Sequence, residues 1–463
     1  MTHISVGAPR RNPIGDEQSE RRTQTANIKA RGADPRRRES TRDPIRWREA
    51  AVPIGVRPVS GGIPAHDGTG RPGAQPNAHP FRILKQTSEG VPPMALITYL
   101  TRIEFDEGAI AKLPAILDGL GVKRPLLVTD RGLLASGMVE RVAGLFAERP
   151  TIFADTPANP TEEAVYAAHA LYGAEACDGI VGLGGGSSLD LAKAVRLLTG
   201  HEGPLAQYTL VEGGLAKIHG RICPFVAVPT TSGTGSEVGR AAVIITAEGR
   251  KLGIISPHML PSVALCDPEL TYGLPPFLTA ATGMDALSHC LETYMAPAIN
   301  PPADAIAIDG LKRGIAAIRR AVKDGSDRQA RWEMMMCALE GAMAFQKGLG
   351  AVHALTHPLG AIRELNLHHG TLNAVLTPAV LRFNRAAIGG KWDVLAEILG
   401  GEPDQVIAKL SRDIGLPSGL DAMGVTEAMR ERVAGEAMKD HCHATNPRIP
   451  TREEYLELLN ESR

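Results

Sequence analysis

The sequence predicts an α/β domain built on a parallel sheet covered on both faces, followed by an all-helical domain, with a cleft between the two. Three observations predict this. Short apolar runs with strand character alternate with helical stretches after Met94, these runs stop near residue 278, and helical periodicity beyond that point is interrupted only where Pro and Gly cluster. The 463 residues, 43% hydrophobic and 22% charged, are enough for two domains with separate cores.

Residues 1–93 are set apart by composition. They are crowded with Arg, Pro, Gly and polar residues and show no apolar period, so they are expected to be a disordered basic extension that cannot bury enough surface to offset its ordering entropy. This segment has 16 Lys and Arg against 9 Asp and Glu, whereas the remaining 370 residues carry 34 against 42. An acidic body of that size argues against nucleic acid as a partner. No run approaches the roughly 18 apolar residues that a membrane span needs, and the start lacks the apolar core of a secretory signal. Six scattered cysteines without a C-x-x-C pair fit a reducing cytoplasm and suggest neither disulfides nor a thiolate zinc site.

Residues 94–278 contain the strand-like runs RPLLVT (124–129), DGIVGLG (178–184), CPFVAVPT (223–230) and SVALCD (262–267). Two helical stretches, EEAVYAAHALYGAEA and SLDLAKAVRLLTG, lie between them. Residues 279–463 read as helices over 279–296, 303–323, 328–346, 350–361, 371–387, 391–413 and 424–439.

Two polar clusters follow strands. Gly184, Gly185, Gly186 and Ser187 lie between a strand and a helix, where glycines let backbone N–H groups approach a pyrophosphate and the helix N-terminus stabilises its charge. The spacing departs from G-x-G-x-x-G, because Ser187 stands where the third glycine belongs, so an ordinary glycine-rich turn is an equal reading. The second cluster, Pro229 to Ser236, offers Thr230, Thr231, Ser232, Thr234 and Ser236 at another strand end, suited either to nucleotide contacts or to a tight loop. Asp130, at the end of RPLLVT, could bind ribose hydroxyls and repel a 2′-phosphate, which favours NAD over NADP, or could cap a helix. Lys251 is a candidate cation near the cofactor, or a solvated lysine.

The helical half carries a metal-like pattern. Asp285 and His289 are four apart, as are His353 and His357, so each pair shares one helix face, and His368 and His369 follow in a polar turn. A carboxylate with neutral imidazoles suits Fe²⁺, Zn²⁺, Mn²⁺ or Co²⁺.

Together these stretches are familiar. LLVTDRGL, ANPTEE, GLGGGSSLDLAKA, VPTTSGTGSEV, DPEL, LPPFLTAATGMDALSHCLETY, GLGAVHALTHPLG, HHGTLNAVLTP and the late NPR occur in one order over about 370 residues. The chain from Met94 onward resembles the iron-dependent (group III) alcohol dehydrogenase family. The resemblance implies a Rossmann-like dinucleotide-binding domain and an all-α metal-binding domain, an architecture shared with dehydroquinate synthase. It implies that Asp285, His289, His353 and His369 hold the metal, Fe²⁺ first with Zn²⁺ admissible, and that His357 is a non-ligand histidine, a candidate proton relay. His369 is preferred to His368 because a glycine follows it. For NAD the resemblance points to Asp130, Asn159, Gly185, Gly186, Ser187, Asp190, Thr230, Ser232, Thr234 and Lys251.

The implied activity is the interconversion of a primary alcohol and its aldehyde by hydride transfer. The alternatives are 4-hydroxybutyrate or maleylacetate chemistry within the family and, further off, a dehydroquinate synthase-like lyase. Arg363 is a candidate receiver for a substrate carboxylate, or simply an exposed residue. A homodimer or higher homo-oligomer is expected, and the amphipathic LITYLTRIEF is a segment that could pair across its interface.

Overall fold

The computed structural model describes residues 101–463, so the expected basic extension and the first part of LITYLTRIEF lie outside the described residues. Eight strands form: β1 (Arg102–Phe105), β2 (Pro125–Val128), β3 (Thr151–Phe153), β4 (Gly179–Gly184), β5 (Phe225–Pro229), β6 (Ala241–Ile245), β7 (Lys251–Ile255) and β8 (Val263–Cys266). Six of them make one parallel sheet in the order β1-β8-β5-β4-β2-β3. The alternation of side chains along a strand explains why the sheet is covered twice. Leu126, Val128, Ile180 and Ala227 face one apolar cluster with Val165, Ala168 and Leu189, whereas Leu127, Val181, Leu183, Val226 and Val228 face another with Leu113, Ile116, Val139 and Val142.

Both expected helices between the strands are present. Glu162–Ala174 starts at Thr161, whose hydroxyl accepts the Ala164 amide, and Gly186–Leu198 starts directly after β4. β1 is the end of LITYLTRIEF, the segment expected to offer an edge. Two pieces of β structure were not anticipated: β3 spans only three residues, and β6 and β7 form a separate antiparallel hairpin turned around Gly249, whose φ is 76°. An isolated bridge from Thr161 to Ile245 joins the hairpin to the start of the Glu162–Ala174 helix.

From Pro276 onward the described chain has no strand. The helices Pro276–Met295, Pro301–Lys323, Arg328–Ala344, Ala351–Gly360 and His369–Ile388 lie close to the expected spans. The single helix expected over 391–413 is instead two, Lys391–Leu399 and Pro403–Asp413. The break is physical: Gly400 takes a left-handed cap at φ 73° and Pro403 starts the next helix. A last helix, Arg452–Glu461, lies beyond the expected set and is opened by a reciprocal Thr451–Glu454 capping box.

Candidate active site

Three helices of the second half bring the metal-like residues together. Asp285 and His289 sit one turn apart on the helix Pro276–Met295, buried from Thr279 onward, His353 and His357 one turn apart on Ala351–Gly360, and His369 opens the helix that runs to Ile388. The glycine after His369 has a steric reason. A Cβ on Gly370 would lie 2.0 Å from the Ala281 carbonyl oxygen and 3.2 Å from Cβ of Asp285, so only glycine lets this helix start pack against the Asp285 helix.

The Nε2 atoms of His369, His289 and His353 lie 3.6, 3.7 and 3.9 Å from a single atom, Oδ1 of Asp285. Donors about 2.1 Å from one ion in tetrahedral array would be separated by about 3.4 Å; ligand atoms of Asp285, His289 and His353 all lie within 4.8 Å of one another, which suits a small divalent cation, and His369 approaches the same carboxylate oxygen. Of the adjacent histidines, His369 makes this approach, and His368 caps the helix as its preceding residue.

The protonation states agree with a ligand set. Burial lowers the His289 pKa to about 4 and pushes His369 well down, keeping both imidazoles neutral. For His353 burial also works downward, but the bond to Glu292 and the neighbouring carboxylates outweigh it and the pKa rises. That bond, Nδ1 to Oε2 of Glu292 at 2.6 Å, sets the tautomer with the proton on Nδ1 and leaves the Nε2 lone pair facing Asp285. Glu292 also accepts the Val352 amide at 2.7 Å, and Asn446 of the NPR stretch accepts the Ala351 amide at 3.0 Å, so both anchor the start of the His353 helix. The Asn373 amide group donates to Asp285 Oδ1 at 2.6 Å.

His357 is not part of this convergence. Its Nδ1 is 2.8 Å from Oδ2 of Asp440, and its ring stacks on that of His369 at 5.6 Å between centroids. Asp440, His441 and Cys442 form a loop against it, with His441 stacked on His357 at 5.5 Å. Burial lowers the His441 pKa to about 4. Burial works upward on Asp440, but the His357 charge and hydrogen bond hold its pKa far below the usual carboxylate range.

Sequence reading had missed Glu292, Asn373, Asp440 and His441. Glu292 lies seven residues after Asp285 on the same helix, a two-turn spacing that offers a signal. Asp440 lies 83 residues from its histidine, and no local pattern announces it.

The expected cofactor residues gather at the C-terminal ends of β2, β4 and β5. Gly185 precedes and Gly186 begins the helix after β4, followed by Ser187, whose hydroxyl donates to the Ala158 carbonyl. A Cβ on Gly186 would be 2.5 Å from Cγ2 of Thr234, so the two polar loops touch here. The Thr230 amide donates to the Gly184 carbonyl at 3.0 Å, and the buried Ser232 hydroxyl has no partner among the described residues. Thr234 Oγ1 accepts the Ser236 amide. Asp130 does cap a helix, accepting the Leu133 amide on Oδ1 at 3.0 Å.

Lys251 and Asn159 meet directly, Nζ to Oδ1 at 2.9 Å. Burial lowers the Lys251 pKa, against the charges of Asp190 and Asp285. Arg363 is exposed, and its charge acts on Glu163.

One expected cofactor residue is placed differently. Both oxygens of Asp190 are committed inside the protein, Oδ1 to the Ser236 hydroxyl at 2.6 Å and Oδ2 to the Val243 amide at 3.0 Å. Lys193 was not anticipated at all: its buried ammonium donates to Ser236 Oγ, the Gly239 carbonyl and the Ala241 carbonyl at 2.7 to 2.9 Å. Together they lock the Gly186–Leu198 helix to the second polar loop and to β6.

Comparison with known proteins agrees with this geometry. Residues 101–268 match the family model described as iron-containing alcohol dehydrogenase, and residues 279–463 match the C-terminal model of the Fe-containing alcohol dehydrogenase family. The 4-hydroxybutyrate dehydrogenase of Cupriavidus necator is 51% identical over 381 residues, covering 80% of this chain and 100% of that one. The NAD-dependent methanol dehydrogenase of Bacillus methanolicus is 34% identical, covering 80% and 98%. The crystal structure of a 1,3-propanediol oxidoreductase superposes with a TM-score of 0.76 at 36% identity, covering 80% of this chain and 100% of that one. With both halves matched, the chain belongs to the iron-containing alcohol dehydrogenase family.

Proposed function

We propose that Asp285, His289, His353 and His369 hold a divalent cation, and that the chain uses it with NAD to interconvert a primary alcohol and its aldehyde. The observation that carries this reading is the approach of three imidazole Nε2 atoms to one oxygen of Asp285. A bound cation would supply Lewis acidity, lowering the pKa of an alcohol and polarising a carbonyl. NAD over the glycine loop would supply the hydride acceptor, with Gly185, Gly186, Ser187, Thr230, Ser232 and Thr234 around the diphosphate and Asp130 offering its Oδ2 to ribose. Lys251, held by Asn159, offers a positive charge to the cofactor.

His357 is the proposed proton relay. Asp440 accepts from Nδ1–H, which orients the ring and leaves Nε2 to take or give the proton. Asp190 is assigned an anchoring role instead of a cofactor contact.

The 51% identity to a 4-hydroxybutyrate dehydrogenase favours a hydroxy acid as the alcohol. A homo-oligomer is proposed because β1 pairs only with β8 and so leaves a sheet edge among the described residues. A cytoplasmic setting is supported by six free cysteines. No helix of the described residues is long and apolar enough to cross a membrane.

Net NADH accumulation from NAD and 1,4-butanediol, on protein reconstituted with Fe²⁺ or with Zn²⁺, tests the reading. A lyase would regenerate its NAD and accumulate none. His353→Ala is expected to lose bound metal and at least a hundredfold in turnover, and full turnover by a metal-free variant would overturn the assignment.

A further inference from the structure

We propose that a cavity beside His357 is a carboxylate-recognising substrate pocket, in which Arg250 and Arg432 hold the anionic end of an ω-hydroxy acid or its semialdehyde. The proposal rests on the dehydrogenase reading above and narrows its substrate class.

The cavity measures about 260 Å³, near the lower edge of small-molecule sites. One wall is the turn and start of β7, from Gly249 to Leu252, and the other walls come from the His357 helix and from the helix Glu427–Ala437 with the residues after it. The reacting end is defined by His357, whose ring lies against His353 and His369. Leu252, Pro358, Ala361 and Val433 give the lining an apolar middle suited to a few methylene groups.

The charges lining the cavity do not balance internally. Asp440 is bonded to His357, Glu436 is paired with Lys439 at 2.9 Å, and Lys251 is bonded to Asn159. That leaves Arg250 and Arg432, both exposed and contributed by different walls. Neither guanidinium has an ion pair or a hydrogen bond among the described residues, although Glu248 feels the charge of Arg250 weakly. Two unpaired guanidinium groups on one small cavity are matched by a carboxylate, which can accept from the planar N–H fork of either. The glycine loop contributes nothing to this lining, so the cofactor diphosphate is not the anion in question.

The test compares 4-hydroxybutyrate with 1-butanol, a four-carbon alcohol lacking the carboxylate, at saturating NAD on metal-reconstituted protein. In Arg432→Ala, Arg250→Ala and the double variant, kcat/KM for 4-hydroxybutyrate is expected to fall at least tenfold further than for 1-butanol, mainly through KM, with Arg432→Lys keeping part of the difference. Parallel losses on both substrates, or a raised KM for NAD alone, would overturn the proposal. A wild-type enzyme that oxidises 1-butanol but shows no preference for 4-hydroxybutyrate would also overturn it while leaving the dehydrogenase reading intact. Should neither alcohol be turned over, that reading fails instead, and binding still decides the pocket. Calorimetric titration with 4-hydroxybutyrate must then show saturable binding to wild type that is lost in the double variant, and no binding to wild type overturns the proposal.

Discussion

The histidine cluster and the glycine-rich face are built by opposite means. Around Asp285 three imidazoles from three helices approach one carboxylate oxygen, their Nε2 atoms 3.6 to 3.9 Å from it. Around Gly185 and Gly186 the surface is backbone and small hydroxyls spread over two loops, with the bulk removed so that chain can approach chain. A convergent site depends on every contributor and on the packing behind it. A distributed surface shares its energy over many weak contacts, so single changes there should be felt less.

Three substitutions sharpen that contrast, in falling order of effect. Gly370→Ala puts a methyl group 2.0 Å from a backbone oxygen of the Asp285 helix, so the His369 helix must move. We expect about 1–3 kcal/mol of lost stability from overpacking, together with loss of bound metal, read by thermal unfolding and metal analysis. An unshifted melting temperature with full metal content would show that the contact is not restrictive.

Glu292→Gln keeps the shape but replaces the acceptor on His353 Nδ1 with a neutral amide. Weakening such an outer partner costs about ten- to a hundredfold in metal affinity, measurable by competition with a chelator, and a change below threefold would make the glutamate merely a helix anchor.

The smallest effect is expected on the cofactor side, at Glu237 in the second polar loop. Burial raises its pKa from 4.5 to about 7. The folded protein therefore holds a proton that the unfolded chain releases, and stability contributed by the protonated carboxyl is lost as pH rises from about 4.5 to 7. Glu237→Gln should flatten the fall of melting temperature across that window, and an identical pH profile would contradict the buried, protonated state.

Much of this was legible because it is local. Short apolar runs buried along their whole length in β2, β4 and β5 announce the doubly covered sheet, and the four-residue spacings of Asp285–His289 and His353–His357 announce shared helix faces. What escaped was short or remote. β3 has three residues, too few to show a period, and the hairpin strands β6 and β7 carry mixed burial. Asp440 reaches His357 only through the packing of the last helices, and Arg250 meets Arg432 across a cavity, so neither relation has a sequence period to betray it. Asp190 shows what a motif leaves out: the resemblance points it to the cofactor, while its two oxygens accept from Ser236 and Val243, partners that no local spacing announces.

Lys193 has three protons to give and three acceptors waiting, which saturates an ammonium completely. Its acceptors belong to the loop and to β6, while its own stem belongs to the helix Gly186–Leu198, the one proposed to meet the cofactor. A hairpin strapped in this way is tied at its base to that helix, and it carries Arg250 and Lys251 at its far end, so what holds the base also sets where those two cations stand.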